Sequence, residues 1–243
     1  MELVPVLLLA LACVQPATVL GQLRIYEAED ASRMDFPFMA IVTHSRDVVG
    51  NGVIVATKWV LTTSNVLYQF PESTFCAVIG GDTLSSSSWY DTVRVWKHPE
   101  WDGSTYNIGL MQLSRTIKYT AVVQPIGIAS VNPQGLAGTM ISFGENNSGS
   151  TRMKKAQVVL SSDDACANII STYVNQNIIR SGHGYCLAVP NGKEYRFESD
   201  DNGGAIVVDN LLYALFDITN EKDLMATRVT EPEMRSWVDQ MTS

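Results

Sequence analysis

The sequence lacks any run of basic residues. Its 17 lysines and arginines are scattered among 25 aspartates and glutamates, which leaves a formal net charge of −8 over 243 residues. An acidic chain without a basic cluster argues against nucleic acid and against anionic membrane surfaces as partners. Charged residues make up only 17% of the chain and hydrophobic residues 46%. That composition is typical of one large globular domain or two small ones.

Long apolar runs are missing once the N-terminus is passed. The leading MELVPVLLLALACVQPATVLG carries an apolar stretch from Leu3 to Val14, which is too short to span a bilayer and suits a secretory signal peptide. We expect residues 1–21 to be that signal peptide, with cleavage before Gln22; cleavage after Ala17 and a retained anchor are the alternatives. The protein is therefore predicted to be secreted and extracellular, with no membrane partner.

Cysteine and histidine are scarce, with four and three residues. Cys13 leaves with the predicted leader, so Cys76, Cys166 and Cys186 remain. An odd number in an oxidising compartment means that one thiol is free or pairs with another chain. We expect neither a metal nor a cofactor.

Short apolar runs, in contrast, recur along most of the chain. They are rich in Val, Ile, aromatics and Thr, and Gly, Asn, Ser and Pro interrupt them. Many short strands with turn residues between them predict an all-β sandwich or barrel. The runs are Phe38–Val42, Val48–Val55, Trp59–Thr62, Phe75–Ile79, Val93–Trp96, Ile108–Leu113, Gln157–Leu160, Tyr185–Val189, Ala205–Val208, Leu211–Phe216 and Ala226–Val229.

The C-terminus departs from this pattern. Thr230 and Glu233 form a capping-box pattern. Apolar residues then fall at helical spacing, at Met234, Trp237, Val238 and Met241. We predict an amphipathic helix at about 230–241.

Five segments, in order, resemble motifs of the trypsin/chymotrypsin serine protease family. They are RIYEAEDASRMDFPFMAIV (activation segment), NGVIVATKWVLTTSNV (histidine motif), KHPEWDGSTYNIGLMQL (aspartate segment), ISFGENNSG (opening of the second barrel) and SDDNGGAIVV (nucleophile loop). Each motif alone is weak, but five in the family's order and at its approximate spacings are specific. The resemblance covers essentially the whole mature chain. It implies two antiparallel six-stranded β-barrels, a cleft between them and a C-terminal helix packed on the first barrel.

On this resemblance the domain covers residues 25–243. The first barrel is expected at about 25–135 and the second at about 136–229, after a short propeptide-like segment at 22–24.

The catalytic triad is the chemistry that the resemblance leads us to look for. Such a protease needs a hydroxyl nucleophile, an imidazole base and a carboxylate that orients the imidazole. The motifs place Asn65 at the histidine position, Asn107 at the aspartate position and Asn202 at the serine position. An amide is neither a nucleophile nor a base near neutral pH, because its nitrogen lone pair is delocalised into the carbonyl. We therefore expect no catalytic residues in this chain.

The supporting parts of the family's site are also altered. The oxyanion-hole glycine position holds Asp200, which puts a carboxylate where negative charge would develop. The floor of the specificity pocket corresponds to Arg196, followed by Phe197. The family's substrate-strand motif Ser-Trp-Gly is replaced by roughly Asp217-Ile218-Thr219.

The resemblance also implies a disulfide pattern. Cys166 and Cys186 match a second-barrel pair of the family, which leaves Cys76 outside it. The bridge that flanks the histidine loop would join the positions of Gly50 and Val66, so both of its ends are gone. The bridge beside the nucleophile loop lacks its first cysteine, where Glu198 stands.

Two further features leave alternatives open. Arg24 and Ile25 match the family's activation cleavage, and Asp201 matches the acid that pairs with the new N-terminus. Either a zymogen-like switch is retained, or Asp201 only accepts hydrogen bonds from loop amides and Arg24 is incidental. Asn146 begins a glycosylation sequon in a predicted loop.

The resulting hypothesis is a non-catalytic serine protease homologue that binds extracellular proteins, such as active proteases, their substrates or their inhibitors. Insect homologues of this kind imply a role in haemolymph or seminal fluid. The alternatives are an active serine endopeptidase with a non-standard nucleophile, with Ser64 and Ser199 nearest the key positions, or a small-ligand carrier that uses the emptied cleft.

Overall fold

A computed structural model describes residues 28–71, 74–144, 152–190, 193, 195, 197–218 and 223–243. A short strand, β1 (Glu29–Asp30), comes first. The next six strands close into an antiparallel barrel in the spatial order β2-β3-β4-β7-β6-β5. They are β2 (Met39–His44), β3 (Asp47–Ala56), β4 (Trp59–Thr62), β5 (Phe75–Ile79), β6 (Ser88–Lys97) and β7 (Gly109–Leu113).

A second set of six antiparallel strands closes in the order β9-β10-β11-β14-β13-β12. These are β9 (Leu136–Gly144), β10 (Arg152–Leu160), β11 (Gly184–Ala188), β12 (Ala205–Val208), β13 (Leu211–Phe216) and β14 (Met225–Arg228). β1 extends this barrel beside β10, and β8 (Gly127–Ile128) runs parallel to β13. The predicted all-β architecture of two six-stranded barrels is confirmed.

One apolar cluster joins the two barrels. It includes Ile41 and Leu110 from the first barrel and Phe143 and Leu215 from the second, all essentially inaccessible to solvent. Each barrel also has an interior cluster of its own. The barrels are thus held against each other by a continuous core, which fixes the walls of the cleft between them.

The C-terminal helix α4 (Pro232–Thr242) packs back on the first barrel, as the resemblance implied. Glu233 accepts a hydrogen bond from Tyr106 Oη at 2.5 Å, and the Trp237 ring lies 5.2 Å from the His98 ring. The predicted cap at Thr230 is wrong: Glu231 caps the helix by accepting from Met234 N. A residue before proline is held in an extended conformation, so Pro232 fixes the helix start at itself.

Three helices were not predicted from the apolar pattern. α1 (Ser64–Tyr68) follows β4, while α2 (Asp163–Ile169) and α3 (Tyr173–Arg180) lie between β10 and β11. All three are short, and each begins after a Ser or Thr whose side chain accepts a hydrogen bond from a first-turn amide. Capping was the signal common to all three, and α3 also has an amphipathic apolar pattern.

Candidate functional site

Asn65 and Asn107 meet at the first-barrel wall of the cleft. Asn65 lies in the first turn of α1, which Thr63 caps, and Asn107 follows Tyr106, whose φ is 50°. The backbone N–H of Asn65 donates to Oδ1 of Asn107 at 2.9 Å. The structure therefore brings together two of the three predicted triad positions.

The third position, Asn202, lies in the loop between a 3-10 turn at Ser199–Asp201 and β12. The loop docks on the first barrel, because Asn51 N donates to the Asn202 carbonyl at 2.7 Å. Gly203, with φ of 79°, approaches β3 so closely that a Cβ there would lie 2.0 Å from the Asn51 carbonyl oxygen. Only glycine fits this turn.

Asp217, which the resemblance placed only in the substrate-strand motif, supplies a carboxylate beside the triad positions. Both of its oxygens accept from Asn65 Nδ2, each at 3.1 Å. The side chain is almost fully buried, and this burial raises the pKa of Asp217 to about 6, although the Asn65 and Asn107 amides act to lower it. The signal was present in the sequence, since an acid directly follows the apolar run of β13. The site thus keeps a negative charge beside position 65, but it comes from the second barrel.

The Asn202 side chain is also engaged. Its Oδ1 accepts from Ile218 N at 2.7 Å, so the nucleophile position is tied to the segment that corresponds to the family's substrate strand. Together with the contact between Asn65 and Asp217, this makes a hydrogen-bonded network across the cleft. Its members include neither a hydroxyl nucleophile nor an imidazole, and its one carboxylate, Asp217, accepts hydrogen bonds from the Asn65 amide.

At the oxyanion-hole position, the backbone N–H of Asn202 points into its own loop and not toward the cleft. In the active site of a serine protease, the backbone N–H of the nucleophile residue points at the developing oxyanion. Here Asn202 N–H donates to the Ser199 carbonyl at 3.1 Å. The Asp200 carbonyl accepts from Asn51 Nδ2 at 2.8 Å, and burial raises the pKa of its half-buried carboxyl. This loop is therefore held by hydrogen bonds within itself and to the first barrel, with Asp200 at the oxyanion-hole position.

Phe197, predicted beside the specificity-pocket floor, is buried in the interior cluster of the second barrel. Its ring centroid lies 5.1 Å from that of Phe216 and 6.1 Å from that of Tyr195. Arg196 and Thr219 lie outside the described residues. Aromatic side chains therefore occupy this part of the second barrel.

Asp201 is buried beneath the nucleophile loop. It accepts from Ser142 Oγ at 2.5 Å and from Glu198 N at 3.0 Å. Burial raises the pKa of Asp201 to about 6. Within the described part of the chain no cation pairs with it. Arg24 and Ile25 lie outside the described residues, as do Asn146 and the signal peptide, so the switch and the sequon stay predictions.

The cysteine positions have clear geometry. Cys166 and Cys186 form a disulfide, which ties α2 to β11, and Cys76 is a half-buried free thiol whose Sγ donates to Asp91 at 3.5 Å. At the positions of the missing histidine-loop bridge, a Cβ built on Gly50 would lie 2.9 Å from Val66 Cγ2. The two positions are thus in contact.

The remaining candidates, two serines and three histidines, do not form a pair of nucleophile and base in the described part of the chain. The Ser64 hydroxyl is buried and donates to the Ile108 carbonyl at 2.6 Å, while Ser199 is exposed. His98 and His183 lie on either side of Tyr106, and the His44 ring stacks on Phe70. Among the described residues, no cluster of His, Cys, Asp and Glu could hold a metal ion. No described helix is long and apolar enough to cross a membrane.

Two closed barrels whose loops bring positions 65, 107 and 202 to one cleft define the class of two-barrel serine proteases and their homologues. The trypsin family model matches residues 25–215, so the chain belongs to the trypsin family. It is 26% identical to trypsin of Saccharopolyspora erythraea over 200 residues, which cover 77% of this chain and 83% of that protein. A serine protease of Anopheles gambiae is 24% identical over 78% of this chain and 69% of its own length.

Among solved structures, the fold is similar to that of neuropsin, a serine protease expressed in the limbic system of mouse brain. The TM-score is 0.72 at 18% identity, over 89% of this chain and 99% of neuropsin. At that identity the likeness establishes the fold alone.

Proposed function

We propose that this chain is a secreted, non-catalytic serine protease homologue that acts by binding extracellular proteins. The observation that supports the proposal is that amide side chains occupy all three triad positions. Asn65, Asn107 and Asn202 carry amides, and each amide takes part in the hydrogen-bonded network of the cleft.

The chemistry of that network supports the absence of turnover. Asn65 Nδ2 donates to both oxygens of Asp217, and its lone pair is delocalised into the amide carbonyl, so Asn65 is too weak a base to take a proton from a nucleophile. Asn202 has no hydroxyl, and its N–H is already donated to Ser199. Attack, proton transfer and oxyanion stabilisation each lack a group.

The biological setting is proposed by analogy. A protein that keeps the two-barrel fold without its chemistry is suited to act as a cofactor, decoy or scaffold toward active proteases, their substrates or inhibitors. An insect-type role in haemolymph or seminal fluid is part of this proposal, by analogy with the non-catalytic homologues that insects carry. Glycosylation at Asn146 belongs to the same proposal.

Turnover is the direct test. Purified protein, before and after cleavage at Arg24, is offered peptide amides with Arg, Lys, aromatic or small residues at the cleaved position, and is treated with a fluorophosphonate. We expect no hydrolysis and no label. Hydrolysis that titrates with the phosphonate would establish the alternative, an active endopeptidase with a non-standard nucleophile. Native mass spectrometry of protein taken from its secretion then separates protein binding from small-ligand carriage.

Restoring the three triad residues tests whether the rest of the cleft could still support catalysis. We expect Asn65→His, Asn107→Asp and Asn202→Ser together to leave kcat/KM several orders of magnitude below active relatives. The oxyanion loop stays turned inward, and one lost donor alone costs about 10²–10³-fold. The triple variant also places a second carboxylate beside Asp217, and two carboxylates in one site resist joint ionisation.

The double variant Asn65→His with Asn202→Ser is the matched control. It keeps Asn107 and leaves Asp217 as the single charge beside the imidazole. We expect it to equal or exceed the triple variant, and to weaken when Asp217→Asn is added. A triple variant with near-trypsin rates would refute the idea that the oxyanion-hole and specificity-pocket regions no longer support catalysis.

A further inference from the structure

The cations of the two barrels have different partners. In the second barrel and α4, the described lysines and arginines that form ion pairs are Lys154, Lys155, Arg228 and Arg235. Besides the buried Arg33, which lies over Phe143, four first-barrel cations form no salt bridge with any described carboxylate and lie over aromatic rings instead. These four, called here the β6 cation row, are Arg46, Arg94, Lys97 and Arg115.

The row follows one strand. Arg46 lies 5.6 Å from the Trp89 ring centroid, and Arg115 lies 4.0 Å from that of Tyr90 while donating to the Trp89 carbonyl at 2.8 Å. Both cations therefore sit at the start of β6.

The row continues to the other end of β6. Arg94 lies 3.8 Å from the Trp96 ring centroid. Lys97 lies 5.5 Å from the Tyr68 ring and 5.6 Å from the Trp101 ring. From Trp89 to Lys97 the strand extends about 27 Å at about 3.3 Å per residue.

The cations are oriented and accessible. Arg46, Arg94 and Arg115 are exposed, and stacking of a guanidinium on a ring fixes its position while leaving N–H groups for a ligand, although Arg115 donates one of its own to Trp89. The row is interrupted by Asp91, which accepts from the Cys76 thiol. Asp47 directly follows Arg46 and is exposed, so it also reduces the positive charge of the row, while acids more than about 8 Å away are largely screened at physiological ionic strength.

We propose that the β6 cation row is a binding site for an extended sulfated polysaccharide. A linear array of unpaired cations is complementary to a linear polyanion. β6 is hydrogen-bonded to β5 on one side and β7 on the other, so it offers no free edge on which a peptide could add as a strand. Binding on this face therefore depends on charge, which a sulfated chain supplies at every sugar unit. The site is separate from the cleft and does not depend on whether the chain cuts peptide bonds.

The test uses a size-defined heparin oligosaccharide and the full mature chain. We expect binding at 50 mM NaCl whose log affinity falls with log salt at a slope of about three to four, by analogy with counterion release from nucleic acids. Arg94→Gln with Arg115→Gln should reduce the slope by about two and the affinity at least about tenfold. Arg94→Lys with Arg115→Lys should retain most of the affinity.

The matched control is Arg152→Gln with Arg180→Gln, which removes the same charge from exposed second-barrel positions. We expect less than about a twofold change. The proposal is overturned if the wild-type protein does not bind heparin at 50 mM NaCl, if the control pair weakens binding equally, or if polyglutamate of matched charge binds as tightly. The last outcome would indicate an acidic polypeptide as the partner class. Turnover assays of the same samples report separately on the proposed function.

Discussion

The two barrels share a fold but place their charges differently. The second barrel buries Asp201, Asp217, Asp223 and Arg228, and it contains the disulfide. The strands of the first barrel enclose an apolar interior. Cations on its surface lie over aromatic rings, as Arg94 does over Trp96. Both barrels therefore have apolar interiors, but the second also buries charged side chains, whereas the polar side chains buried by the strands of the first are uncharged.

This difference indicates that buried carboxylates of the second barrel fix the conformations of the loops around the cleft. Buried charges are costly unless they are paired or hydrogen-bonded, so each one fixes the groups around it. Asp201 holds the nucleophile loop and Asp217 holds Asn65, both through hydrogen bonds that apolar packing could not replace. We expect the second barrel to be sensitive to the loss of single partners and the first to be tolerant.

The largest contrast should come from the cysteines. Replacing Cys166 and Cys186 by Ala opens a loop of 20 residues, for which we expect a loss of about 3 kcal/mol in the free energy of unfolding. Cys76→Ala in the first barrel should cost less than about 0.5 kcal/mol. Urea denaturation of both variants measures the difference. Equal losses would contradict the contrast between the barrels.

The next contrast is in pH dependence. The pKa of Asp217 rises from 3.8 to about 6 on folding, so the folded state binds the proton that the unfolded state releases between these values. Stability from this group is full below about pH 3.8 and is lost as the pH rises through about 6. From pH 7.5 to 3.8, wild type should gain about 2 to 3 kcal/mol relative to Asp217→Asn.

That comparison is made against the variant because other groups titrate in the opposite sense. Burial lowers the pKa of His98 and His183, so their contribution is lost as the pH falls. Urea midpoints of both proteins across the range measure the difference. Parallel curves would mean that Asp217 does not titrate as its burial requires.

A smaller effect is expected for the partner of that carboxylate. Asn65→Ala removes two donors from a buried charge, and we expect a loss of about 2 kcal/mol at pH 7.5. The loss should shrink at pH 4.5, where Asp217 is protonated. A double-mutant cycle with Asp217→Asn isolates the pair, and additive losses would show that the two groups do not interact.

The smallest effect should come from restoring the first barrel's missing bridge. Gly50→Cys with Val66→Cys joins two positions already in contact, but a Cβ at Gly50 would also lie 2.8 Å from the Asn202 carbonyl oxygen. That crowding should limit the gain to about 1 kcal/mol, below the entropic value for a loop of this size. Mass spectrometry detects the bridge, and melting with and without reductant measures its effect. A gain equal to the loss at Cys166 and Cys186 would remove the asymmetry.

Local patterns were sufficient for the fold and for the identity of the three amides. Apolar runs with turn residues between them predicted the strands, and five ordered motifs located Asn65, Asn107 and Asn202. Local patterns were insufficient at Thr230, because Pro232 moved the cap by one residue. They also missed α1, α2 and α3, whose lengths of five to eight residues give a helical repeat little room.

The sequence by itself determined that Asn65, Asn107 and Asn202 stand at the three motif positions, since residue type is read directly from the chain. Only the tertiary structure decided which groups surround them. Asp217 lies 152 residues from Asn65 in the chain and meets it only because the barrels close and pack. Arg46, Arg94 and Arg115 are scattered in a chain with no basic run, and barrel closure aligns them along β6. Electrostatic interactions depend on distance in space, which a linear pattern does not carry.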